Sequence, residues 1–174
     1  MRRFALSLAC LLALAIPAAA LAARGAPGDG TLVVRNADDG EGIDGHPVVV
    51  LVVHGSVIGR ITDQGRIRID DLTQGGDNTP EVSGATWHKD VSQIATAWGG
   101  TALRFRAVSG WYRVTIWGSK VNLFAIGNGQ VTLIGQPDTP ASGKDGKFSI
   151  DDSAFRSLPE GPYLATFGQQ QPTG

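Results

Sequence analysis

Arginines and tryptophans are the residues of this chain best suited to holding a ligand. Between Ala102 and Gly135, in ALRFRAVSGWYRVTIWGSKVNLFAIGNGQVTLIG, Arg104, Arg106, Arg113 and Lys120 are interleaved with Trp111 and Trp117. Flat aromatic rings beside guanidinium groups can stack on sugars or receive an acidic polymer. Arg104, Arg106, Arg113, Trp117 and Lys120 are therefore the candidate ligand-binding residues, with an anionic glycan or an envelope protein as partner. The competing role is packing, in which an arginine stacks over a tryptophan as a structural cation–π pair. Trp111, with Val108 and Ile126 as expected neighbours, is expected to pack, and Trp117 to be the more open of the two.

Other chemistries have weaker signatures. Asp38, Asp39, Glu41 and Asp44 in a glycine-rich loop could present oxygens to calcium, as could Asp70-Asp71 and Asp151-Asp152. None has the spacing of an EF-hand loop, and Asp and Gly are ordinary turn formers, so no cofactor is expected beyond such a structural calcium. His46, His54 and His88 are too scattered for a zinc signature. Gly40-Glu41-Gly42-Ile43-Asp44-Gly45 satisfies GxGxxG, but an extended His46-Pro47-Val48-Val49-Val50 follows where a dinucleotide site needs a helix. Gly143-Lys144 lacks the rest of a phosphate loop, and no GxSxG elbow occurs. A carboxylate-dependent hydrolase of cell-wall or polysaccharide substrates would need two carboxylates across a cleft. The acidic clusters all fall in expected turns, so a non-catalytic role leads.

The elements that must position these residues are strands. Runs rich in Val, Ile, Leu and Phe are separated by Ser109-Gly110, Gly118-Ser119 and Asn128-Gly129, which suit two-residue hairpins and predict an antiparallel four-strand meander. The registers would set Val108 opposite Trp111, Trp117 opposite Lys120 and Gly127 opposite Gln130, with Arg106 facing Arg113. One face then collects Leu103, Phe105, Ala107, Tyr112, Val114, Ile116, Val121, Leu123, Ala125 and Ile134 as core. The other takes the cations and tryptophans together with Val131 and Leu133. Further strands are expected at Thr31–Arg35, Val48–Val53, Val57–Ile61 and Arg66–Asp70. Asp90 to Trp98 reads equally as a short helix or as extended chain. Gly65–Asp71 is echoed weakly by Gly146–Asp152, but no sustained period follows. The fold class is all-β: a compact antiparallel β-sandwich or open barrel, with a short β-solenoid as the alternative.

Residues 1–22 carry two arginines, an apolar run and small residues at Ala18, Ala20 and Ala22, matching a secretory signal peptide cleaved after Ala22. Residues 23–30 then form a flexible leader, 31–168 a single domain and 169–174 a disordered tail. The only cysteine, Cys10, leaves with the signal, so the exported domain must hold together without disulfides. No other stretch has the ~18 apolar residues of a membrane span. With Arg2 and Arg3 gone the net charge is −3, which gives nucleic-acid binding no support. The 24 glycines are about twice the usual ~7%, as expected of short strands and tight turns.

The export signal, Val57-Ile58-Gly59-Arg60-Ile61, Leu103-Arg104-Phe105-Arg106, Tyr112-Arg113-Val114, Ala125-Ile126-Gly127, Phe148-Ser149 and Ser157-Leu158-Pro159 together resemble a group of uncharacterised secreted proteins of high-GC actinobacteria. The resemblance covers most of the exported chain and implies no activity or functional residue. The expected role is that of a binding or structural module, in the cell envelope or outside the cell. A subunit that assembles through its strand edges is the further alternative.

Overall fold

A computed structural model of the chain describes residues 26, 28–38, 44–73, 78–135 and 146–168. The expected signal peptide and its cleavage site, half of the expected leader, Asp39, Glu41, residues 136–144 and residues 169–174 lie outside the described residues. Within them the chain is all-β: β1 (Gly30–Ala37), β2 (Val49–Asp71), β3 (Glu81–Ser83), β4 (Trp87–Asp90), β5 (Ala95–Gly118), β6 (Val121–Leu133), β7 (Lys147–Ile150), β8 (Arg156–Ser157) and β9 (Tyr163–Phe167). They form one antiparallel sheet in the order β3-β5-β2-β6-β1-β7-β8, with β4 also on β5 and β9 also on β6. The sheet is open, and its ladders, all antiparallel, do not form a solenoid.

Its centre is a long two-stranded ribbon. β2 and β5 pair from Val49 opposite Ile116 to Asp70 opposite Ala95. The register shifts between Gly55 and Val57, where the extra residue lies on β5 around Ser109 (φ 53°), and again between Ile61 and Gln64, opposite Ala102 (φ 60°). A bulge of this kind bends a strand and increases its twist. Curled in this way, the ribbon meets itself: Arg66 to Asp70 pair with Gly99 to Ala95 on one side and with Trp117 to Arg113 on the other.

The expected hairpins need correction. Ser109-Gly110 lies inside β5 and Asn128-Gly129 inside β6, so neither reverses the chain. At 119–120 the chain does leave one strand for the next, yet β6 pairs with β2, β1 and β9 rather than with β5. Arg106 therefore does not face Arg113. The strands expected at Val48–Val53, Val57–Ile61 and Arg66–Asp70 are one strand; from Asp90 to Trp98 the extended alternative holds and the helix does not, since Asp90 ends β4, 91–94 turn and Ala95 to Trp98 open β5. The echoing segments fall on β2 and β7, which do not pair.

The core assignment largely survives, because a one-residue bulge and a two-residue hairpin cause the same switch between odd and even positions. Leu103, Phe105, Ala107, Tyr112, Val114, Ile116, Val121, Leu123 and Ala125 are all buried. No switch occurs at 128–129, so Val131 and Leu133 enter the core and Ile134 is only half-buried. Leu32, Val34, Leu51, Val53, Ile61, Ile67 and Phe167 complete the same cluster.

At the crossing of β2 and β6, Gly55 and Gly127 face each other with φ of 152° and 135°. A Cβ on either would meet the opposite strand's carbonyl, Ile126 O or His54 O. Gly127→Ala should therefore cost about 2 kcal/mol or more in a denaturant titration.

Tyr112 closes the inner face. Its hydroxyl lies 2.9 Å from the Val108 carbonyl and 3.0 Å from that of Asn78, and it donates its single proton to one of them at a time. Burial, and then the Asp71 carboxylate, raise the phenol's pKa. The folded phenol keeps its proton where the unfolded one loses it. Its contribution is therefore complete below about pH 10 and is lost as pH rises through the folded value. Tyr112→Phe should lower stability by about 1–2 kcal/mol at neutral pH and flatten the alkaline loss seen in the parent, both read from unfolding curves.

Candidate functional site

The curled ribbon divides the five candidate residues among separate places. Arg104 and Arg106 lie on the outer face of β5 where it runs beside β2's first half. Arg113 and Trp117 lie beyond the bulge, beside β2's second half, and Lys120 sits at the corner between β5 and β6. They do not form one platform.

Three of the five have charged partners. Arg106 faces Glu81 on β3, with Nε 4.0 Å from Oε2, and both side chains are exposed. Arg113 faces Asp70 on β2, with Nη1 3.8 Å from Oδ2. Asp70 is only 3% exposed and also accepts a 2.6 Å hydrogen bond from Arg68 Nε. Lys120 Nζ lies 3.3 Å from Asp63 Oδ2. The Asp63 carboxyl is held below the usual carboxylate range by the Gln64 backbone N–H and then by Lys120. Trp117 carries the Arg66 guanidinium 4.1 Å from its ring centroid and is half-buried. Trp111 is instead 50% exposed, the reverse of the expected order, because the hairpin that would have brought Val108 and Ile126 to it does not exist.

Arg104 is different. Its cross-strand neighbours are Ser83 and Arg60. Arg60 and Arg104 thus form the like-charge pair that the sequence had placed at Arg106 and Arg113, and neither makes an ion pair among the described residues. Beside them runs a shallow open groove of about 650 Å³ lined by Val33, Arg35, Ile58, Arg60, Arg104 and Phe124, among others. Its floor follows from the ladders: Val33 pairs with Phe124, Phe124 with Ile58, and Ile58 is 48% exposed. The cations form the next row, in which Lys147 pairs with Arg35 and, beyond Asn122 on β6, Arg60 pairs with Arg104. At about 4.8 Å per strand the row from Lys147 to Arg104 spans roughly 19 Å.

Arg35 also borders a second cavity of about 330 Å³, with Lys147, Phe155 and Arg156. Its guanidinium sits 4.6 Å from the Phe155 ring centroid and the Lys147 ammonium 5.4 Å from the same ring. Among the described residues, neither groove is lined by a carboxylate or a histidine. Arg35, Arg60 and Lys147 were not singled out from the sequence. An arginine at an outward position of an otherwise apolar strand, as in Val57-Ile58-Gly59-Arg60-Ile61, was the available signal, and only the pairing of distant strands gives it meaning.

Five of the six described acidic residues in these clusters accept from protein donors. Asp38 accepts from Ser119 Oγ at 3.1 Å, and Asp44 is exposed. Asp151 Oδ1 accepts from the backbone N–H groups of Thr31 and Gly168, and Asp70 is engaged by its two arginines. Among the described residues no three His, Cys, Asp or Glu side chains are grouped to hold a metal, and no helix is long and apolar enough to cross a membrane. Compared with protein-family models, curated proteins and solved structures, the chain matches none.

The two acid–base pairs on β5 should differ in weight. Asp70→Asn leaves Arg68 and Arg113 without their shared carboxylate, and should cost about 1–3 kcal/mol after allowance for the exposure of the arginines. Glu81→Gln should change stability by less than about 0.5 kcal/mol. Thermal unfolding of the two variants side by side reads the contrast.

Proposed function

We propose that the protein is an exported, non-catalytic binding domain of the cell envelope or extracellular medium, and that it holds an anionic glycan in the groove at Arg35, Arg60 and Arg104. The observation that carries this reading is the Arg60–Arg104 pair, set directly across two strands with no acidic partner among the described residues and beside an apolar floor. Like charges so placed cost roughly 0.2–1 kcal/mol, and a bound carboxylate or sulfate removes that cost while accepting charge-assisted hydrogen bonds. The floor narrows the ligand class. An acidic sugar has an apolar C–H face to lay on Phe124 and Ile58 and an anionic group to turn toward the arginines. Small inorganic anions would leave the floor unused.

The role is taken as non-catalytic because glycoside hydrolysis would require an acid and a base or nucleophile across the bond, and among the described residues the groove is lined by cations, apolar groups and Asn122, with no carboxylate.

Retention on immobilised polygalacturonate, compared with neutral dextran, tests the reading. The parent should bind the acidic polymer alone and release it as salt rises. Arg60→Glu with Arg104→Glu should weaken binding at least about tenfold, while Lys89→Glu on β4 leaves it within about twofold. Salt-independent binding, or none at low salt to carboxylated and sulfated polymers alike, would reject it.

A further inference from the structure

We propose a second saccharide subsite, at Trp87, Arg66 and Trp117, that holds an acidic sugar ring on the open face of Trp87 with its carboxylate on Arg66. Its ligand class rests on the acidic-glycan reading above, but the residues and the strands that carry them are different.

Trp87, Gly99, Arg66 and Trp117 form one cross-strand row: Trp87 pairs with Gly99, Gly99 with Arg66, and Arg66 with Trp117. Three strand spacings put its ends about 14 Å apart. Gly99 has no side chain, and the indole of Trp87 occupies the space where one would be: a Cβ there would meet Cε2, Cζ2 and Nε1 of the ring. The ring therefore lies down on the strand that separates it from Arg66, and Trp87 is still 46% exposed. This is the posture of a stacking platform, with one side fixed by the sheet and the other free.

Arg66 supplies the charge. Its guanidinium is oriented by the Trp117 ring at 4.1 Å, so its plane is set before any ligand arrives. Two residues along, Arg68 is engaged by Asp70 at 2.6 Å; among the described residues Arg66 has no such carboxylate, and its buried Nε has no hydrogen-bond partner there. A fixed, uncompensated guanidinium beside an exposed indole suits a ligand that is apolar on one face and carries a planar anion at its rim. A uronic acid ring has both features. A phosphate would use the arginine and leave the indole idle, and a neutral sugar would do the opposite.

Titration of the full chain with trigalacturonate, followed by calorimetry and tryptophan fluorescence, tests the assignment. Binding should change the fluorescence, and maltotriose should bind at least about tenfold more weakly. Trp87→Ala and Arg66→Gln should each weaken trigalacturonate at least about tenfold, and Trp87→Phe should retain most of the affinity. Gly99→Ala removes no functional group but displaces the indole, and should also weaken binding severalfold. Arg60→Glu with Arg104→Glu, which removes the groove's cations, should leave the fluorescence titration that reports Trp87 unchanged. If Trp87→Ala and Arg66→Gln, with parental circular dichroism and melting temperature, bind like the parent, the subsite is refuted. It is equally refuted if trigalacturonate produces no signal. Polygalacturonate retention that survives Arg60→Glu with Arg104→Glu but is lost in Trp87→Ala would remove the groove reading and leave this one standing.

Discussion

Two strands that are too long for the domain govern the rest of the structure. At about 3.3 Å per residue, the 23 residues of β2 and 24 of β5 would extend some 75 Å. A single domain of this chain length has a radius of gyration of only about 14 Å. The ribbon has to curl, and a strand curls sharply only where its ladder is interrupted. Ser109, Ala102 and the 61–64 segment provide those interruptions, and the outcome is that β2's second half lies between the two halves of β5. The inward residues of both strands then enclose one core from several directions, so a single sheet does the work usually shared by two packed layers.

The same curl decides the fate of each arginine on β5. Arg113 receives Asp70 because β2 returns alongside it, and Arg106 receives Glu81 because the short β3 begins there. Arg104 receives another arginine. A buried carboxylate such as Asp70 has to be matched by cations, since burying it alone is expensive, so Arg68 and Arg113 are accounted for by folding. Arg60 and Arg104 are not. Exposure and salt keep their repulsion small enough for the fold to tolerate, and that same exposure leaves both guanidinium groups available.

Fold class and core were legible in the sequence for a reason that did not depend on getting the topology right. Alternation marks an inward face whether the chain turns back or bulges, so Ala107 and Tyr112 fall on one side in either case. Where the chain does neither, the inference failed, and Ile134 was placed where Val131 and Leu133 belong. Asn128-Gly129 looked like a turn, yet Gly127 beside it is required by the close crossing with Gly55, and Asn128 donates from Nδ2 to Asp29 at 2.9 Å. The candidate site was legible only as a list of cations. Which cation meets an acid is set by pairings between residues such as Arg60 and Arg104, or Asp70 and Arg113, that lie about 43 apart in the chain, and local patterns carry no record of these.

The abundant glycines have a use beyond turns, and it separates packing from a ligand surface. Phe105 lies over Gly59, Tyr112 over Gly110 and Phe167 over Gly129, all on the inner face, where a missing side chain lets a ring close against the sheet. Trp87 over Gly99 repeats the arrangement on the outer face. Covering about half of an indole removes on the order of 100 Å² of apolar surface from water, worth roughly 2–3 kcal/mol, which is sufficient reason for the ring to lie flat. Stability alone therefore explains the buried side of Trp87. It does not explain Arg66. A guanidinium held against Trp117 gains about 1 kcal/mol of cation–π energy, of the same order as the loss from a buried Nε without an acceptor. An arrangement that is close to neutral for folding leaves a cation beside an open aromatic face, which is the feature the proposed subsite rests on.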